Sequence, residues 1–110
     1  MTNKVEITEL GFSTLTILAR YQAVFTSEDV ALAEMERLID VVIAKLSDNP
    51  KQCPVCYELE LLGVTDYRQL TLEKFKVLYR FDEVQRVSYI MAFMRHKQSA
   101  QELLVHHSLL

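Results

Sequence analysis

The sequence predicts an α+β domain in which an N-terminal helical hairpin packs on an antiparallel β-sheet and a C-terminal helix closes the fold. Three observations predict it. Apolar residues recur at helical spacing over roughly residues 10–47, the period changes to two beyond Pro50, and helical spacing returns near Ser99. With 110 residues, half of them hydrophobic, and only two Gly and two Pro, the chain reads as one domain over 1–110 without repeats, low-complexity tracts or a linker.

The elements follow in order. Lys4 to Thr8 alternates apolar Val5 and Ile7 with polar neighbours, as a short strand does. From Leu10 to Phe25, Leu15, Leu18, Tyr21 (or Gln22) and Phe25 fall at helical spacing, although Ser13, Thr14 and Thr16 lower the intrinsic propensity. Thr26 and Ser27 can cap a second helix, and Glu28 and Asp29 suit the positive end of its dipole. Ala31, Met35, Leu38, Val42 and Leu46 form its apolar stripe, widened by Leu32, Ile39 and Ile43. Pro50 restricts Asn49 and ends the helix. Tyr67 to Leu72 reads as a strand with Arg68, Leu70 and Leu72 on one face. Phe75, Val77, Tyr79 and Phe81 then alternate with Lys74, Lys76, Leu78 and Arg80, a half-buried strand with a positive outer face. After a turn at Asp82-Glu83, Arg86 to Met94 is apolar on both faces and should be central. A last helix runs from about Ser99 to Leu109, with Leu103 and Leu104 inward. Helices on one side of an antiparallel sheet is the expected arrangement.

Charge and composition exclude several classes. The net charge is −3, with −4 in residues 1–50 and +1 in residues 51–110, so neither half has the basic excess of a protein that lives on phosphates. Direct sequence-specific nucleic-acid binding is therefore not expected. No run approaches the ~20 apolar residues of a membrane span, and the N-terminus lacks a signal-peptide layout, so a cytoplasmic location is expected. Cys53-Pro54-Val55-Cys56 has the spacing of redox and zinc half-sites, but it precedes a strand, and His96, His106 and His107 are the histidines available to complete a metal set. Two cytosolic thiols, able to pair under oxidation, is the favoured reading, with no metal and no cofactor. The carboxylate pairs Glu36/Asp40 and Glu58/Glu60 read as solvated faces.

Several phrases resemble the ParE/RelE toxins of bacterial type II toxin–antitoxin systems. The helix exit IAKLSDNPKQ followed by YELE, and the stretch DYRQLTLEKFKVLYRFDEVQRVSYIMAFMRHKQSAQELL, are similar to that family's second-helix exit and closing hairpin. The resemblance spans nearly the whole chain as a pattern of spacing and residue type. It implies the RelE/ParE-like fold, a cognate antitoxin partner, and one of two targets: messenger RNA cut in the ribosome, or DNA gyrase poisoned by binding.

Several residues then weigh against the nuclease branch. Where RelE-like nucleases carry two basic residues spaced by one, this chain has Arg68 and Leu70; where they carry an Arg on the next strand, it has Lys76, which lacks the planar fork. Arg95, His96 and Lys97 match the family's basic cluster, but no Tyr follows Tyr89, and Gln101, Glu102 and Leu103 occupy that stretch. His106 or His107 could replace the missing acid–base group, although surface positions on a fraying helix are the plainer reading. The ParE-like branch is favoured, acting by binding rather than catalysis, with Arg68, Lys76, Arg80, Arg95, His96 and Lys97 as the expected target-contact residues and no catalytic residue. A ribosome-dependent messenger RNA endoribonuclease is the alternative, and a non-toxic member that binds its antitoxin is a third. The wide stripe on the second helix should be covered in part by the antitoxin.

Overall fold

The computed structural model describes residues 3–107. In chain order the elements are β1 (Lys4–Ile7), α1 (Glu9–Phe25), α2 (Glu28–Asp48), α3 (Tyr57–Glu60), β2 (Arg68–Thr71), β3 (Phe75–Asp82), β4 (Val87–Arg95) and α4 (Ala100–His106). Helix α3 was not expected from the sequence, and the reading of Ser108 and Leu109 as helix falls outside the described residues.

Helix α1 begins at Thr8, whose hydroxyl accepts from Gly11 N at 3.0 Å and donates to Ile90 O at 2.9 Å. The cap thus ties the helix to β4 as well as starting it. Gly11 is required by the same approach: a Cβ there would lie 2.6 Å from Ile90 O. One turn on, Thr14 is buried, and its hydroxyl accepts from Phe93 N at 3.0 Å while donating to Gly11 O at 2.8 Å. Thr14, one of the residues that weaken the helical propensity of α1, therefore bonds β4 beyond the point where β1 ends. Ser27 caps α2 through Val30 N, and the buried face of α2 is Ala31, Met35, Leu38, Val42 and Leu46, the expected stripe. On α1 the stripe is narrower than expected, because Tyr21 and Phe25 face outward.

The sheet has the order β1-β4-β3-β2. Strands β2, β3 and β4 form an antiparallel meander, but β1 lies parallel to β4. The sheet is mixed rather than antiparallel, because β1 reaches it through the long α1–α2 crossover that parallel neighbours need. A register shift between Leu78 and Tyr79 leaves Met91 as an extra residue on β4. The bulge switches the parity of β4. Ile90 and Phe93 share the face under α1 and α2, whereas Ala92 and Met94 turn to the opposite face.

Helices consequently cover both faces, not one. The first core joins Leu18, Met35, Leu38, Val42 and Leu46 to Leu70, Phe75, Val77, Tyr79, Ile90 and Phe93. The second joins Leu78, Ala92 and Met94 to Cys56, Leu59, Ala100 and Leu104. An apolar patch on the far face has to be covered, and α3 and α4 cover it. Cys53 belongs to the first core and Cys56 to the second, so the two thiols are buried and free on opposite sides of the sheet. No helix of the described residues is long and apolar enough to cross a membrane.

Candidate functional site

The six expected contact residues are distributed over several places. Arg68 is half-buried at the β2 edge, where its guanidinium donates to the carbonyls of Lys51 and Cys53 and holds that loop. Lys76 is on the far face, as its alternation implied, but it is covered and only 9% exposed. Lys74 is not on that face: it follows β2 and pairs with Glu34 of α2 at 2.8 Å. The expected positive run on β3 is thus broken up.

Arg80 occupies the uncovered end of the far face. Its guanidinium lies 5.1 Å from the ring centre of Tyr89, its cross-strand partner, and close enough to Tyr67 to act on that phenol. Burial, reinforced by Asp66, raises Tyr67 above the ordinary phenol value, and Arg80 opposes it. A Tyr–Arg–Tyr grouping, from the residue before β2 to β3 and β4, is one that residue counting did not single out. The signal was present in the pairing of Arg80 with Tyr89 across the hairpin.

His96 turns away from its basic neighbours. Its Nε2 lies 2.6 Å from Leu72 O and 3.1 Å from Phe75 O, and because both are carbonyls the ring nitrogen donates. His96 therefore clamps the β2–β3 turn.

Arg95 and Lys97 line a cleft of about 690 Å³ between α1 and α4 at the end of β4. Leu18, Phe93 and Leu103 supply apolar lining, and His106 and His107 stand on the α4 side. The two imidazoles meet edge to face at 5.0 Å. Tyr21 enters from α1, with the Arg95 guanidinium 4.1 Å from its ring centre. The cleft thus gathers two cations, two imidazoles and a phenol over an apolar base, with Glu102 as an opposing carboxylate. Tyr21 is the residue the sequence does not single out, because it sits in the apolar periodicity of α1.

The α4 wall is held by α3. Glu58 accepts from the Ser99 hydroxyl and from Ala100 N and Gln101 N, both at 2.9 Å. Burial works to raise its carboxyl, but the bonds from Ser99, Gln101 and Ala100 and the nearby Lys76 outweigh that, and it is held below the usual carboxylate value. Glu58 is a helix-positioning group rather than a solvated one. Among the described residues no group of three or more His, Cys, Asp and Glu converges as a metal set would.

No protein-family model matches the sequence, and neither does any curated protein. Solved structures do match in shape. The chromosomal ParDE toxin–antitoxin system of P. aeruginosa aligns with TM-score 0.68 at 18% identity, over 86% of this chain and 96% of that one. The toxin–antitoxin complex RelBE2 of Mycobacterium tuberculosis aligns with TM-score 0.61 at 16% identity, over 87% of this chain and all (100%) of the other. A mutant of the E. coli toxin RelE in the free state gives TM-score 0.61 at 11% identity, with 100% of both chains covered. At these identities the likeness is one of architecture, and the helical hairpin, four-stranded sheet and closing helix described above are the RelE/ParE-like fold.

Proposed function

We propose that this chain is the toxin of a type II toxin–antitoxin pair, acting in the cytoplasm by binding DNA gyrase and neutralised by a cognate antitoxin. One observation carries the choice of binding over catalysis. The positions on β2 and β3 at which the nuclease branch grips phosphate present no free cation: Leu70 is in the first core, Arg68 is engaged with loop carbonyls, and Lys76 is covered. Phosphate transfer needs positive groups aimed at the developing charge, and covered or engaged ones do not supply them. Binding needs only a complementary surface, and Arg80 with its tyrosines, together with Arg95 and Lys97 in the cleft, offers residue types common in interface hot spots. Two of the solved neighbours are toxin–antitoxin systems, which supports an antitoxin partner. Val24 and Phe25, 78% and 70% exposed, and Leu32 leave apolar surface on α1 and α2 for an amphipathic antitoxin segment.

Messenger RNA cleavage is the second reading, and the cleft favours it, because Arg95, Lys97, His106, His107 and Tyr21 together could hold a phosphate and move a proton. Induced expression separates the two. Under the first reading DNA synthesis falls first and purified chain inhibits gyrase supercoiling, with Arg80→Ala and Arg95→Ala each lowering inhibition about tenfold or more. An early fall in protein synthesis, with RNA cleavage lost in His106→Ala or Tyr21→Phe, would replace it with the second. A chain harmless without its partner is the non-toxic member.

A further inference from the structure

The β3–β4 hairpin turns through Glu83, Val84, Gln85 and Arg86. Asp82 fixes the start of the turn, where its Oδ1 accepts from Val84 N at 2.9 Å and from Gln85 N at 3.0 Å. Arg86 makes the end of the turn with a φ of 56°, and among the described residues it is the one non-glycine with a positive φ. A side chain crowds the backbone in this left-handed region, and glycine takes it without that crowding. A strained residue at the tip of an exposed hairpin points to a use for its side chain.

That side chain is a positioned cation. The Arg86 guanidinium lies 6.0 Å from the ring centre of Phe81, and the Arg86 carbonyl accepts from Lys4 N at 3.1 Å. Glu83 is paired with Lys51 and Glu6 with Lys4, and the exposed Arg86 forms no ion pair among the described residues. Val84 stands beside it and is 93% exposed, more than any other large apolar side chain among the described residues. On the reading of the chain as a gyrase-binding toxin, we propose that this tip is part of the target-binding surface. Arg86 meets a carboxylate of the protein target, and Val84 enters an apolar depression next to it. The tip adjoins the Arg80 grouping, because the Tyr89 hydroxyl donates to Gln85 Oε1 at 3.2 Å. The apolar surface assigned to the antitoxin lies towards the other end of β4, where Phe25 packs on Tyr21 at 5.2 Å and Tyr21 on Arg95. A nucleic-acid backbone is a row of phosphates met by several cations, whereas one cation beside an apolar knob fits a protein surface.

The test measures melting temperature, inhibition of gyrase supercoiling and growth arrest on induced expression, all with the whole chain. Arg86→Gly should raise the melting temperature by roughly 4 °C, since it relieves the left-handed residue. The same variant should lower inhibition about tenfold, the scale of a lost interface anchor. Arg86→Glu keeps the strained backbone, so inhibition should fall at least as far without the gain in stability. Val84→Ser should lower inhibition and leave the melting temperature unchanged. Full inhibition by Arg86→Gly or Arg86→Glu overturns the proposal, and so does a fall in the melting temperature of Arg86→Gly, which would mean that Arg86 serves the fold. Binding of the parent chain to DNA alone, lost in Arg86→Gly, overturns the carboxylate contact in favour of phosphate. A parent chain that arrests growth without inhibiting gyrase overturns the gyrase reading alone, and loss of arrest in Arg86→Gly then still identifies the tip as the contact. A parent chain that does neither overturns both.

Discussion

The two faces of the sheet are covered by helices of very different kinds. Helices α1 and α2, 17 and 21 residues long, lie over the first core and bury a continuous stripe. Helices α3 and α4, 4 and 7 residues long, cover only the upper part of the far face. A helix that short does not persist alone in water, because its nucleus costs more than so few bonds return. It survives where named contacts hold it. Here those are Leu59 and Leu104 in the second core and the Glu58 carboxylate on the N-terminus of α4. The first face is thus held by many interchangeable apolar contacts and the second by a few specific ones. The cleft lies where the two regimes meet, with one wall on α1 and the other on α4.

The sharpest way to break this comparison is to remove the same side chain from each core. Leu46 and Leu104 are both fully buried, the first under α2 and the second under α4. Leu46→Ala should cost roughly 2–5 kcal/mol of global stability, read by denaturant unfolding. Leu104→Ala removes as much apolar surface, but its main effect should be local. Amide exchange in α3 and α4 should accelerate while the amides of β3 and the buried face of α2 keep their protection. Equal loss of protection in both regions would mean that the two faces form one cooperative unit.

Thr14 tests the join between α1 and the sheet, with a smaller expected effect. Thr14→Val keeps the volume but leaves the buried Phe93 N–H without its acceptor, and about 1–3 kcal/mol should be lost. Thr14→Ser retains the hydroxyl and should lose less. If valine is as stable as threonine, α1 is held to β4 by packing alone.

The same contrast explains which parts of the fold were legible in the sequence. The stripe from Ala31 to Leu46 writes its partner face in its own period, so the five buried residues of α2 were legible, although Leu32 and Ile43 beside them are exposed. The β3–β4 hairpin was legible for the same reason. The parallel placement of β1 was not, because four residues of alternation do not say which strand they join. Nor was the far face. Its apolar patch depends on the bulge at Met91, which leaves no mark in a run that is apolar throughout, and α3 is too short to show a period. The site suffered most from this. Arg95 and Lys97 were found as a local cluster, but Tyr21 comes from a distant helix, and His96, adjacent in sequence, points into a turn. Lys76 was assigned to the correct face, and its cover could be seen only in three dimensions.

The smallest expected effect, and the most specific to the far face, belongs to Glu58. Its folded pKa is depressed, chiefly because the donors of Ser99, Gln101 and Ala100 and the charge of Lys76 outweigh burial. A depressed carboxylate contributes stability that is fully present above its unfolded value of about 4.3 and is lost as the pH falls through the folded value. Glu58→Gln should therefore cost about 1 kcal/mol at neutral pH, the scale of a lost helix cap. The gap between variant and parent should close as the solution is acidified past that window. Because the carboxylate grips α4 and not the first core, the loss should show first in the exchange of the Ala100–Leu104 amides and in the environment of His106 and His107, followed by imidazole NMR. A variant that lowers global stability equally at pH 7 and pH 3 would mean that Glu58 acts through packing. One that leaves α4 exchange unchanged would mean that Leu104 and Ala100 hold the helix without it.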